Sequence, residues 1–132
     1  YINNWDLVDC SAHYVIGQAV LDEIVDRDLL FQLIQSTVLW ERRIGIVATW
    51  ILIRNQDIDT TLALSQKLLQ DTEDLMHKAV GWMLREAWKV DADTVESFLI
   101  KNYKNLPRTT LRYAIERIEE QKRKKFLQGE FG

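Results

Sequence analysis

Apolar residues recur at three- and four-residue spacing along nearly the whole chain, as in amphipathic helices that bury one face. The pattern predicts a first helix from about Trp5 to Leu21, capped by Asn3 or Asn4. A short helix follows over about Leu29 to Gln35. Ser36 or Thr37 then caps a long one reaching about Arg54. Asp57 or Asp59 caps a helix to about Gln70, Thr72 one to about Trp88, and Asp91 one to about Tyr103. Pro107 suits a first-turn position, and a last helix runs to about Phe126. With 5 glycines and 1 proline, the chain lacks the punctuation of a strand-and-turn protein, so the expected class is all-α.

The helices alternate short and long with tight polar connections, which suggests stacked helix pairs. Three long helices align on a basic residue followed by small or apolar ones: Arg43-Ile44-Gly45, Lys78-Ala79-Val80 and Arg112-Tyr113-Ala114. The steps are about 34 and 35 residues, the spacing of a helical-pair solenoid, and one more step back falls on Asp9. One strip of surface then reads Asp9, Arg43, Lys78, Arg112. Trp5 lies one turn before Asp9 and Trp82 one turn after Lys78, with Arg85 three residues further on. Cations alternating with indoles suit a nucleic-acid surface, where bases neutralise phosphates and rings contact sugars or stack. The plainer alternatives are solvated helix edges for the charges, core packing for the tryptophans, and a first-turn acid facing the helix dipole for Asp9. Trp40, Trp50 and Trp88 are assigned to the core or to repeat interfaces.

Composition bounds these readings. The 132 residues make one ordinary domain, with hydrophobic residues at 47% and charged ones at 28%. Tyr1 stands close to a helix start, so residues 1–132 are expected to be a single helical-repeat domain fragment with helices missing upstream. An exposed uncapped end would make such a fragment self-associate. The net charge of -3 argues weakly against nucleic acid, but residues 1–40 hold six acids against one base. The remainder carries 16 bases and 14 acids and is net positive. The longest apolar run, Ile44 to Ile53, is flanked by Arg42, Arg43 and Arg54 and is too short to span a membrane. A single cysteine, Cys10, excludes an intrachain disulfide and suits a cytoplasmic location. Cys10 with His13 lacks a third partner for a nucleophile, and His77 with Asp74 is too few ligands for a metal. The cluster Gln121 to Lys125 complements the dipole at a helix C-terminus. No cofactor and no metal is implied.

Four blocks carry a resemblance. They are Asn4-Trp5-Asp6-Leu7-Val8-Asp9, Trp40-Glu41-Arg42-Arg43, the run from His77 to Glu86 (HKAVGWMLRE), and the run from Leu106 to Ile115 (LPRTTLRYAI). Together they resemble the signature blocks of the DNA alkylation repair (AlkD-like) family, over nearly the whole chain and corresponding to the C-terminal part of its domain. The resemblance implies a HEAT-like solenoid whose concave groove holds duplex DNA. It implies cleavage of the N-glycosidic bond of N3- or N7-alkylated purines, with Asp9 as catalytic carboxylate, Trp5 and Trp82 as flanking aromatics and Arg43 in the groove. Lys78, Arg85 and Arg112 join the DNA-facing set from their place on the strip. The expected protein is a monofunctional glycosylase, a monomer at full length, with no membrane partner. The alternatives are a HEAT-like module that holds nucleic acid without cutting it and a protein-interaction scaffold.

Overall fold

The longest helix explains the rest of the architecture. In the computed structural model, which describes residues 14–129, Asp74–Val90 is one continuous helix, α6. Its buried residues are Met76, Ala79, Val80, Gly81, Met83, Leu84 and Ala87. That spacing makes a broad apolar stripe, able to meet helices on more than one side. Before it come residues 14–21 (α1), Asp28–Leu33 (α2), Leu39–Val47 (α3), Thr49–Arg54 (α4) and Asp59–Leu68 (α5). After it come Ala92–Lys101 (α7), a 3-10 turn at Tyr103–Asn105, Arg108–Ala114 (α8) and Glu120–Gln128 (α9). Every regular element among the described residues is helical. The protein is thus all-α, as the periodicity predicts. α6 packs against α3, α4, α5, α7 and α8, and the core includes Leu30, Ile46, Leu52, Leu64, Leu99 and Leu111. No described helix is long and apolar enough to cross a membrane.

Two expected helices are each divided. The stretch beginning after Ser36 breaks at Ala48, between α3 and α4, where the Thr49 hydroxyl donates to the Ile46 carbonyl at 2.7 Å. A Cβ on Gly17 of α1 would collide with the Ala48 carbonyl oxygen, so the break lies where α1 comes closest. The final stretch is also two helices. α8 stops at Ala114, Ile115 and Ile118 are buried in the connection, and Glu119 begins α9 by accepting from the Gln121 amide at 3.1 Å. α9 folds back through buried Phe126. Its end is held by the Tyr103 hydroxyl and the Arg108 guanidinium, both donating to the Leu127 carbonyl. Gly129 closes it in the left-handed region at φ 75°, the usual glycine cap.

The start signals differ in detail. Asp91 caps α7 as expected, accepting from the Thr94 amide at 3.2 Å and its hydroxyl at 2.7 Å. These bonds hold its carboxyl below the usual value. At the start of α6 Asp71, rather than Thr72, supplies the acceptor, taking the Glu73 amide at 2.9 Å. The Ser36 hydroxyl oxygen accepts from the Val38 amide and the hydroxyl donates to Glu41, organising the turn into α3.

Candidate nucleic-acid interface

The contacts between α6 and α8 advance together along both helices. Thr109 reaches Asp74 at 3.4 Å, and the Thr110 hydroxyl donates to the His77 carbonyl at 2.9 Å. Gly81 lies against Thr110 and Tyr113, and the Arg85 Nη1 meets the Glu116 carboxylate at 2.6 Å. Partner numbers rise on both helices, so α6 and α8 run parallel, about one sequence period apart. A second set of contacts has a similar offset: Arg27, at the start of α2, bonds Asp57 at 2.6 Å and Thr60 at 2.5 Å, at the start of α5.

This register decides which side chains share a surface. In two parallel helices, a residue one step after the seam on the first and one step before it on the second fall on the same side. Lys78 and Trp82 follow His77 and Gly81, and Arg112 precedes Tyr113. The structure therefore brings Lys78, Trp82 and Arg112 to one side of the α6–α8 seam, with Arg85 at its edge. Arg112 is exposed and Lys78 half-exposed, whereas Trp82 packs partly against the core. Trp50 and Trp88 are likewise packed against the core. Arg43 is partly buried on α3, a different helix from those that form the seam. Trp5 and Asp9, with Cys10 and His13, lie outside the described residues.

The cations at the seam have carboxylate neighbours. Lys78 pairs with Asp74 at 3.3 Å, and Arg85 with Glu116 and, at 3.7 Å, with Glu86. Lys78 and Arg85, two bases, thus face three acids on this stretch, and phosphate binding by either requires exchanging partners rather than filling a bare cationic surface. Glu116 is not apparent from the sequence pattern. Its only signal is that it follows Arg85 by 31 residues, close to the repeat step. His77 does not pair with Asp74; its ring nitrogen lies 2.5 Å from the Asp71 carbonyl oxygen.

The opposite end of α6 has a different character. An open depression beyond Val90 is lined by Gln56, Asp57, Ile58, Asp59, Val90 and Asp91. Its three carboxylates disfavour phosphate. Among the described residues, no group of three or more His, Cys, Asp or Glu side chains is arranged to hold a metal ion.

No curated protein and no solved structure matches the chain. A family model described as DNA alkylation repair enzyme matches residues 1–118, which is most of the chain, and the protein belongs to that family.

Proposed function

We propose that the protein is a monofunctional DNA glycosylase that releases N3- or N7-alkylated purines from duplex DNA. The observation carrying this reading is the family match over residues 1–118. The parallel, period-spaced contacts of α6 with α8, and the like offset between α2 and α5, support a HEAT-like solenoid within that family.

Chemically, an alkylated purine is already cationic and leaves without a general acid. The demand falls on the sugar, which becomes oxocarbenium-like as the bond breaks. In this reading Asp9 is the fixed carboxylate that stabilises that cation and positions the attacking water. A single carboxylate suffices, unlike the pair used by most sugar hydrolases. Trp5 and Trp82 offer indole faces to the cationic base and sugar. Arg43, Lys78, Arg85 and Arg112 hold backbone phosphates. At full length the protein acts as a cytoplasmic monomer, without a cofactor, and leaves the strand uncut.

The test is release of free base from duplex DNA containing 7-methylguanine, by the protein and by Asp9→Asn. Release by the first and not the second, with DNA affinity kept, is expected. Equal release by both removes Asp9 from the chemistry. Salt-sensitive binding without release by either leaves a binding module.

A further inference from the structure

Arg85 is held in an unusual posture. Its guanidinium Nη1 is bonded to Glu116 at 2.6 Å, across the α6–α8 seam. Its Nε is shut off from solvent and has no hydrogen-bond partner among the described residues; the Glu86 carboxylate stands 3.7 Å away. A buried donor left without an acceptor is costly, so the bond to Glu116 keeps Arg85 in a position its other nitrogen does not favour. The acid, by contrast, is 55% exposed and can turn to water. Its backbone is fixed by α9, because the Arg123 guanidinium donates to the Glu116 carbonyl at 3.3 Å. α9 lies beyond the 1–118 segment that matches the family.

We propose that Glu116 is a latch that occupies Arg85 until a nucleic-acid phosphate displaces it, so that this carboxylate sets how tightly the protein holds undamaged DNA. The inference rests on the nucleic-acid reading above. Arg85 lies at the edge of the side that carries Lys78, Trp82 and Arg112. Swinging out of the seam frees its planar fork for two-pronged phosphate binding and releases the buried Nε. Each exchange of Glu116 for phosphate breaks one ion pair and forms another, so the latch subtracts from affinity without blocking the site. An enzyme that must search long stretches of undamaged duplex benefits from such a loss, because it dissociates more readily from each wrong site.

The experiment measures binding of the protein to a short unmodified DNA duplex between about 50 and 200 mM salt. Glu116→Gln is set beside Glu120→Gln, which changes net charge equally but lies on α9 paired with Lys124. Arg85→Gln and the Arg85→Gln, Glu116→Gln double variant complete the cycle, with unfolding midpoints to verify that each is folded. Glu116→Gln is expected to bind severalfold more tightly than Glu120→Gln at an unchanged log–log salt slope, because the same phosphates are contacted, whereas Arg85→Gln lowers the slope by about 0.9, the increment for one neutralised phosphate. That tighter binding disappears in the Arg85→Gln background. An increase no larger than that of Glu120→Gln, or one that persists without Arg85, overturns the latch. Absence of salt-sensitive duplex binding by the parent protein overturns the nucleic-acid reading itself, which is a distinguishable result.

Discussion

Gly81 of α6 and Tyr113 of α8 meet so closely that a methyl group on Gly81 would stand 2.5 Å from the Tyr113 Cβ and 2.8 Å from the Thr110 carbonyl oxygen. Neither obstacle is the far end of a flexible side chain, so neither can step aside without moving α8. The absence of a side chain at position 81 is what lets the two helices lie in register. That register in turn sets Lys78, Trp82 and Arg112 on one side.

Substitution at position 81 therefore tests the seam. Overpacking of this kind costs about 1–3 kcal/mol. Alanine recovers about 1 kcal/mol of helix propensity relative to glycine, so Gly81→Ala is expected to lose a modest amount and Gly81→Val more. Urea unfolding should show a lower midpoint with an unchanged slope for both. A midpoint that rises for Gly81→Ala would mean that α6 and α8 are not in contact here.

Arg42 and Asp71 join α3 to the turn before α6 at 2.9 Å, with side-chain exposures of only 15% and 8%. Asp71 also accepts the Glu73 amide, and Arg42 donates to the Ser36 carbonyl at 3.0 Å. Removing the acid strands a largely buried guanidinium and unmakes the turn. Asp71→Ala is accordingly expected to cost about 3 kcal/mol, at the lower end for broken buried pairs. Asp71→Asn keeps one oxygen, which can accept from the Glu73 amide but leaves its NH2 facing the Arg42 Nε–H, and should cost less than alanine. Equal losses in the two variants would show that the charge itself carries the effect.

These positions mark where the sequence is readable and where it is not. Met76, Ala79, Val80, Met83, Leu84 and Ala87 announce α6 because one helix must present apolar residues on several sides, and that periodicity is local. Asp91 announces α7 because its bonds to Thr94 reach only three residues ahead. The break at Ala48 is invisible locally, since its neighbour Gly17 comes from a distant helix. The end of α8 at Ala114 is equally hidden, because buried Ile115 and Ile118 continue a helical spacing while serving a turn. At the candidate interface, Lys78, Trp82 and Arg112 are legible as positions on a repeat. The Arg85–Glu116 pair is not, since it depends on how two helices lie in register. The α6–α8 seam says nothing of Trp5 and Asp9, whose roles rest on the resemblance.

α9 is tied to the rest of the protein by a buried acid, and this tie should depend on alkaline pH. Glu96 of α7 accepts the Trp88 indole N–H at 2.7 Å through one oxygen and meets the Lys122 ammonium at 2.5 Å through the other. The bond to Glu96 raises the Lys122 pKa above its ordinary 10.5, with smaller help from the charges of Asp93 and Glu119 and some opposition from desolvation. A folded-state pKa raised above the unfolded one gives stability that is complete below the unfolded value and is lost as pH rises through the folded one. The difference in unfolding midpoint between the parent and Lys122→Met should thus be flat through neutral pH and close above about 10.5. Lys122→Arg, whose guanidinium stays charged, should keep its advantage over Lys122→Met at alkaline pH. Trp88 fluorescence reports the same event, since its indole shares the Glu96 carboxylate. A gap that closes near neutral pH, or one that never closes for the parent, would separate Lys122 from this coupling.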